Sequence, residues 1–175
     1  MRTPNITPRP SARPTSTPLD VTDTPTPIDS ATAAPWTAEW QDAFCAAFED
    51  VVVAQQVARD IGRSIAAEDP DNATGLAHEL AASVTDLGTE LAGLPAWPGA
   101  TDVVTAVTAM LQQDANLATH YLRFLEDDRA GALDRAHEVE GTLREAAIPA
   151  VGAAIGALVS QGLTCPNTAL ALESP

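Results

Sequence analysis

From Trp36 onward, apolar residues recur at the spacing of amphipathic helices, and this periodicity constrains the fold more than any other feature of the chain. The first segment, about residues 37–67, spaces its stripe by threes, fours and sevens: Trp40, Phe44, Phe48, Val51, Ala58, Ile61 and Ile65. Segments of about 70–94, 101–125 and 129–161 repeat the pattern, and no strand-like alternation competes with it. The sequence therefore predicts an all-α fold.

The connections between these segments are short, which favours antiparallel packing of consecutive helices. Asp69 and Pro70 are suited to the start of a helix, and residues 94–99 have the composition of a turn. We expect an up-down-up-down four-helix bundle over residues 36–165. Pro149 lies inside the fourth segment, where it should kink or loosen the helix. Gly152 and Gly156, spaced as in Gly-x-x-x-Gly, are predicted to permit close packing inside the bundle.

The two ends of the chain differ from this body. Residues 1–35 hold eight Pro, eight Thr and no Gly, a composition that cannot bury enough surface to offset the entropy of ordering. They are predicted to form a disordered tail or a stalk, and residues 166–175 a frayed C-terminal tail.

The charge balance excludes one large class of function. The chain has 9 basic and 24 acidic residues, a formal net charge of −15, and every base is Arg. Such a molecule repels phosphate, so nucleic-acid binding is not expected. No uninterrupted run reaches the ~18 apolar residues of a membrane-spanning helix, and none is predicted.

Two cysteines, Cys45 and Cys165, suggest the cellular compartment. In an up-down-up-down bundle the start of the first helix and the end of the fourth lie together, so a disulfide between them is predicted. Cys45 also lies off the apolar stripe, where a plain core cysteine is not expected. A disulfide, a Thr/Pro-rich stalk and the absence of Lys together favour an exported bacterial protein, either secreted or tethered to the cell surface, although no signal peptide is visible after Met1. The alternative is a cytosolic bundle with free thiols.

Several polar residues are candidates for a buried site. Glu140 falls on the apolar stripe of the fourth segment, with Arg144 one turn later as a partner. Gln55 lies near the stripe of the first segment and could meet Glu140 across the interface. Asp134 and His137 are the nearest approach to the Glu-x-x-His pairs of di-iron bundles, which makes them weak metal candidates. A structural polar pair is the preferred interpretation, and no cofactor is predicted.

Three tryptophans lie together at one end of the predicted bundle, and the acidic turns at residues 68–71 and 126–128 lie at the other end. Trp36, Trp40 and Trp97 could anchor a partner or close the bundle as a hydrophobic plug. No nucleophile motif or phosphate-binding glycine loop is present, so an enzyme is not predicted. The sequence therefore favours a non-enzymatic exported bundle acting in binding or scaffolding, with a protein or cell-surface partner. The alternative is a metal- or cofactor-binding bundle that uses Glu140 and His137.

Overall fold

A computed structural model describes residues 35–127 and 129–166, in which all regular structure is helical. The helices are α1 (Ala38–Ala66), α2 (Pro70–Ala92), α3 (Thr101–Leu125), α4 (Ala132–Thr142) and α5 (Ile148–Val159). A π-helical turn, Leu143–Ala147, joins α4 and α5 into one continuous fourth helix, Ala132–Val159. The predicted all-α fold of four helices is confirmed. The predicted tails lie outside the described residues, apart from Pro35 and Pro166.

The helices begin where the sequence supplies caps. Thr37 Oγ1 accepts a hydrogen bond from the backbone N–H of Trp40 at 3.1 Å, and Asp69 Oδ1 accepts one from Asn72 N–H at 3.2 Å. Each bond satisfies a backbone donor that the first turn of a helix leaves without an intrahelical acceptor. Pro70 follows Asp69 in the first turn, where its missing N–H costs nothing.

Contacts at the helix ends show how the chain runs. Where α1 passes to α2, Asn72 Nδ2 donates to Ser64 Oγ at 2.6 Å. Where α3 passes to α4, Tyr121 Oη donates to Glu140, and both groups lie beside Gly62 near the end of α1. The ends of α1 and α3, the first turn of α2 and the short helix α4 therefore lie at the same end of the molecule.

The third helix is central to the packing. It contacts α2 on one side, α4, the π turn and α5 on the other, and it also reaches α1. Its inward stripe is buried: Val103, Val107, Met110, Leu111, Asp114, Leu117, Ala118 and Tyr121. Asp114 lies in the middle of this stripe and has no exposed surface.

The fourth helix accommodates Pro149 through the π turn. The N–H of Ile148 bonds to the carbonyl of Leu143, five residues back rather than four. A proline inside an α-helix clashes with the carbonyl four residues earlier and removes one hydrogen bond, and a widened turn just before it relieves the clash. The predicted loosening at Pro149 is thus present as a π turn.

Candidate functional site

A disulfide joins Cys45 and Cys165, as predicted, with their Cα atoms 5.4 Å apart across 120 residues of sequence. After α5 the chain reverses at Gly162, whose φ of +101° favours glycine. The N–H of Leu163 bonds to the carbonyl of Leu158, and the N–H of Gly162 to that of Val159, which is the Schellman pattern. This turn buries the Leu163 side chain in the core and brings Cys165 back to the first helix.

The three tryptophans form one cluster at the end of the bundle that carries the disulfide. Ring centroids are 6.1 Å apart for Trp36 and Trp40, 5.6 Å for Trp36 and Trp97, and 4.6 Å for Trp40 and Trp97. Trp40 has no exposed surface, Trp36 is 7% exposed, and Trp97 is half-buried. Most of the cluster therefore packs against itself as a plug, and a partner could reach Trp97 without opening the bundle but not Trp40.

The first buried polar pair is one that the sequence analysis did not identify. Gln55 on α1 donates through Nε2 to Asp114 Oδ2 on α3 at 2.5 Å, and both residues are almost wholly buried. Burial raises the pKa of Asp114 to about 7, while the hydrogen bond from Gln55 acts in the opposite direction. Within the described part of the chain, the other oxygens of the pair, Gln55 Oε1 and Asp114 Oδ1, have no hydrogen-bond partner.

The second polar pair involves Glu140. The buried Tyr121 hydroxyl donates to Glu140 Oε1, and both burial and this carboxylate raise the pKa of Tyr121. Glu140 is half-buried beside Gly62. Because Gly62 lies seven residues along α1 from Gln55, about 10 Å at 1.5 Å per residue, the expected meeting of Gln55 and Glu140 does not occur. Arg144 is exposed.

The weak metal candidates, Asp134 and His137, are both exposed. In residues 35–127 and 129–166, no group of three or more His, Cys, Asp or Glu side chains is placed to hold a metal ion. Glu140, the other residue of the cofactor hypothesis, accepts its hydrogen bond from Tyr121. The structure thus gives no observation that favours a metal or cofactor centre at these positions.

The outer face of α5 is apolar and uncharged, and residues 146–159 contain no ionisable side chain. We call this surface the α5 face; its exposed residues are Ala146, Pro149, Ala150, Gly152, Ala153, Gly156, Ala157 and Val159. A Cβ added at Gly152 or Gly156 would meet no atom within 4 Å. The expectation that these glycines pack inside the bundle is therefore wrong: the inward side of α5 is occupied by Ile148, Val151, Ile155 and Leu158.

The fourth helix is the one helix among the described residues that is long and apolar enough to cross a membrane by length and composition. Of its most apolar window, 28% is buried within the bundle. This is weak support for a membrane span, because helices of soluble cores pass the same test. Comparison of the chain with protein-family models, with curated proteins and with solved structures finds no match.

Proposed function

We propose that this protein is an exported, non-enzymatic helical bundle that binds a protein partner outside the cytoplasm through the α5 face. The observation that carries the proposal is the disulfide between Cys45 and Cys165. Disulfides of this kind persist in oxidising compartments and are rare in the cytosol. The α5 face supplies the contact surface.

The disulfide fits a structural rather than a catalytic role. It joins the second turn of α1 to the segment after α5, so it closes nearly the whole folded region. In the chain-entropy model, closing a loop of this length stabilises the folded state by roughly 4–5 kcal/mol. Such stabilisation is useful to a small, alanine-rich core that works outside the cell.

The α5 face differs from the rest of an acidic molecule. With a net charge of −15, most approaches of another acidic protein are repelled, whereas this surface presents no charge of either sign. Its glycines and alanines allow the backbone of a partner helix to come close, and close approach increases van der Waals contact. We therefore expect the partner to present an apolar helix of its own.

The buried polar groups support a non-enzymatic role. Gln55 donates to Asp114 and Tyr121 donates to Glu140, so both carboxylates accept a hydrogen bond from another side chain of the bundle. Paired groups of this type specify how helices pack. The surface, rather than the interior, is then the place where the protein acts.

Export is tested by counting thiols in the full chain, isolated without reductant from an oxidising compartment and unfolded before the assay. No reactive thiol is expected, and the mass should be two hydrogens below that of the reduced chain. Two free thiols per chain would contradict both the disulfide and the argument for export.

The binding surface is tested by placing a charge on the α5 face. Ala153→Glu introduces a carboxylate at the centre of the face, and Ala82→Glu makes the same change at an exposed position of α2. The unchanged protein and Ala82→Glu should retain the same partner from the extracellular fraction, and Ala153→Glu should lose it. Equal binding by all three would remove the α5 face from the proposal. Sedimentation of the unchanged protein with phospholipid vesicles, lost in Ala153→Glu alone, would assign the face to a membrane instead.

A further inference from the structure

The hydrogen bonding of Gln55 and Asp114 is incomplete if Asp114 is ionised. The amide N–H of Gln55 donates to Asp114 Oδ2, but Gln55 Oε1 and Asp114 Oδ1 are both buried acceptors without a donor in the described residues. A buried acceptor left without a donor is costly, and a buried charge without a counter-ion costs more. A single proton on Asp114 Oδ1 removes the charge and supplies the missing donor.

The shapes of the two groups suit a second hydrogen bond. A carboxylic acid and a primary amide are both planar, and along one edge each can present one donor and one acceptor to the other. With Gln55 Nε2 already bonded to Oδ2, the hydroxyl formed at Oδ1 can donate to Gln55 Oε1 alongside it. The result is a closed ring of two hydrogen bonds in which Gln55 Oε1 and Asp114 Oδ1, the two acceptors left without a donor, are bonded to each other through the new proton.

Among the described residues, burial and the hydrogen bond from Gln55 are the causes that shift the pKa of Asp114, and no neighbouring cation is one of them. On α1, the half-buried Arg59 donates to Gln56 Oε1, and the half-buried Asp60 accepts from Gln56 Nε2. The half-buried groups elsewhere are His120 on α3 and Glu140 on α4, the latter bonded to Tyr121. The remaining charged or titratable groups of the four helices are exposed: Glu39, Asp42, Glu49, Asp50, Arg63, Asp71, His78, Glu79, Asp86, Glu90, Asp102, Arg123, Asp134, Arg135, His137, Glu138, Arg144 and Glu145.

We propose that Asp114 and Gln55 form a cyclic carboxylic acid–amide pair that makes the bundle a pH-sensitive one, tightest in acid and loosened when the proton leaves Asp114. The pair links α1 to α3 at mid-height, where α3 is enclosed by the other helices. Loss of the proton leaves a carboxylate facing the Gln55 carbonyl oxygen in the core, which favours opening of the α1–α3 contact. The inference is independent of export and of the α5 face.

The sign of the pH effect follows from which state holds the proton. The ordinary pKa of an aspartate is 3.8, and burial raises that of Asp114 to about 7 in the folded protein. Between these values the folded state keeps a proton that the unfolded chain has lost, so stability falls as the pH rises from about 4 to about 7 and then levels off. Raising the pH from about 5 to about 8 should increase the unfolding equilibrium constant on the order of 10- to 100-fold through this group.

Asp114→Asn is the discriminating variant, because asparagine reproduces the protonated form. Its Nδ2–H can donate to Gln55 Oε1 while its Oδ1 accepts from Gln55 Nε2, and it does not titrate. The test is denaturant unfolding of the oxidised full chain at several pH values. As the pH rises from about 5 to about 8, the unfolding equilibrium constant of the unchanged protein should increase relative to that of Asp114→Asn. The exposed Asp86→Asn should follow the unchanged protein at every pH.

Parallel pH dependence in the unchanged protein and Asp114→Asn would overturn the proposal. Should Asp114→Asn fail to fold, carboxyl-¹³C NMR of the unchanged protein, labelled at aspartate, decides the question. One aspartate resonance whose titration midpoint lies at a clearly higher pH than those of the other aspartates supports the acid–amide pair. Ordinary titration of every aspartate refutes it.

Discussion

Two carboxylates of this molecule, Asp114 and Glu140, differ in burial because they occupy different positions on their helices. Asp114 lies three and four residues after Leu111 and Met110 and three and four before Leu117 and Ala118, so it occupies a core position on α3. Among the described residues, Gln55 is the one hydrogen-bond partner of Asp114, whereas Glu140 is partly exposed to water and accepts a hydrogen bond from Tyr121. The stripe of α3 was readable in the sequence, and an aspartate at its centre is the signal that identifies the pair.

Gly99 and Gly88 form a matched pair for a test of packing at single residues. A Cβ at Gly99 would lie 2.1 Å from Trp97 Cζ2, whereas one at Gly88, within α2, would meet nothing within 4 Å. Gly99→Ala should displace the Trp97 ring and destabilise by about 1–3 kcal/mol. Gly88→Ala should stabilise by roughly 0.5–1 kcal/mol, because alanine has the higher helix propensity. Denaturant unfolding followed by tryptophan fluorescence measures both, and equal effects would contradict the close contact of Gly99 with Trp97.

The helices themselves were predictable because their signals are local. The periodic stripes, the caps at Thr37 and Asp69 and the reversal at Gly162 each act within a turn or two of their own position. The predicted end of the first helix differs from the observed one by a single residue. Local signals also located the disturbance at Pro149 but did not predict its form, a π turn over Leu143–Ala147 that leaves both Leu143 and Ile148 buried.

Pairing between elements was predicted less well, since it depends on how far each helix slides and rotates against its neighbours. The expectation that Gln55 meets Glu140 used the right helix faces but the wrong level along the bundle. Gly152 and Gly156 were expected inside because small residues suit close packing, yet the larger Val151 and Ile155 bury more apolar area and occupy the inward side. An apolar helix without alternating polarity leaves its rotation undetermined by sequence.

At the scale of the whole molecule, one covalent bond and one aromatic cluster secure the same end of the bundle. The disulfide joins the second turn of α1 to the chain after α5, and the tryptophans join the start of α1 to the connection between α2 and α3. The opposite end is connected by polar contacts such as that between Asn72 and Ser64, and His78 Nε2 lies 2.8 Å from Glu126 Oε1 on the surface. Exposed pairs of this type contribute little stability. Local opening should therefore begin at the polar end.

Replacing both cysteines tests this division. The Cys45→Ser, Cys165→Ser double variant restores loop freedom to the unfolded chain and should be less stable by about 2–5 kcal/mol in denaturant unfolding. If the aromatic cluster stays packed without the disulfide, amide hydrogen exchange in the double variant should accelerate mainly in residues 160–166, the segment that the disulfide joins to α1. The start of α1, where Trp40 packs against Trp97 and Phe44, should stay protected. Equal acceleration at the start of α1 would mean that the cluster depends on the disulfide, and the two would then form one cooperative unit.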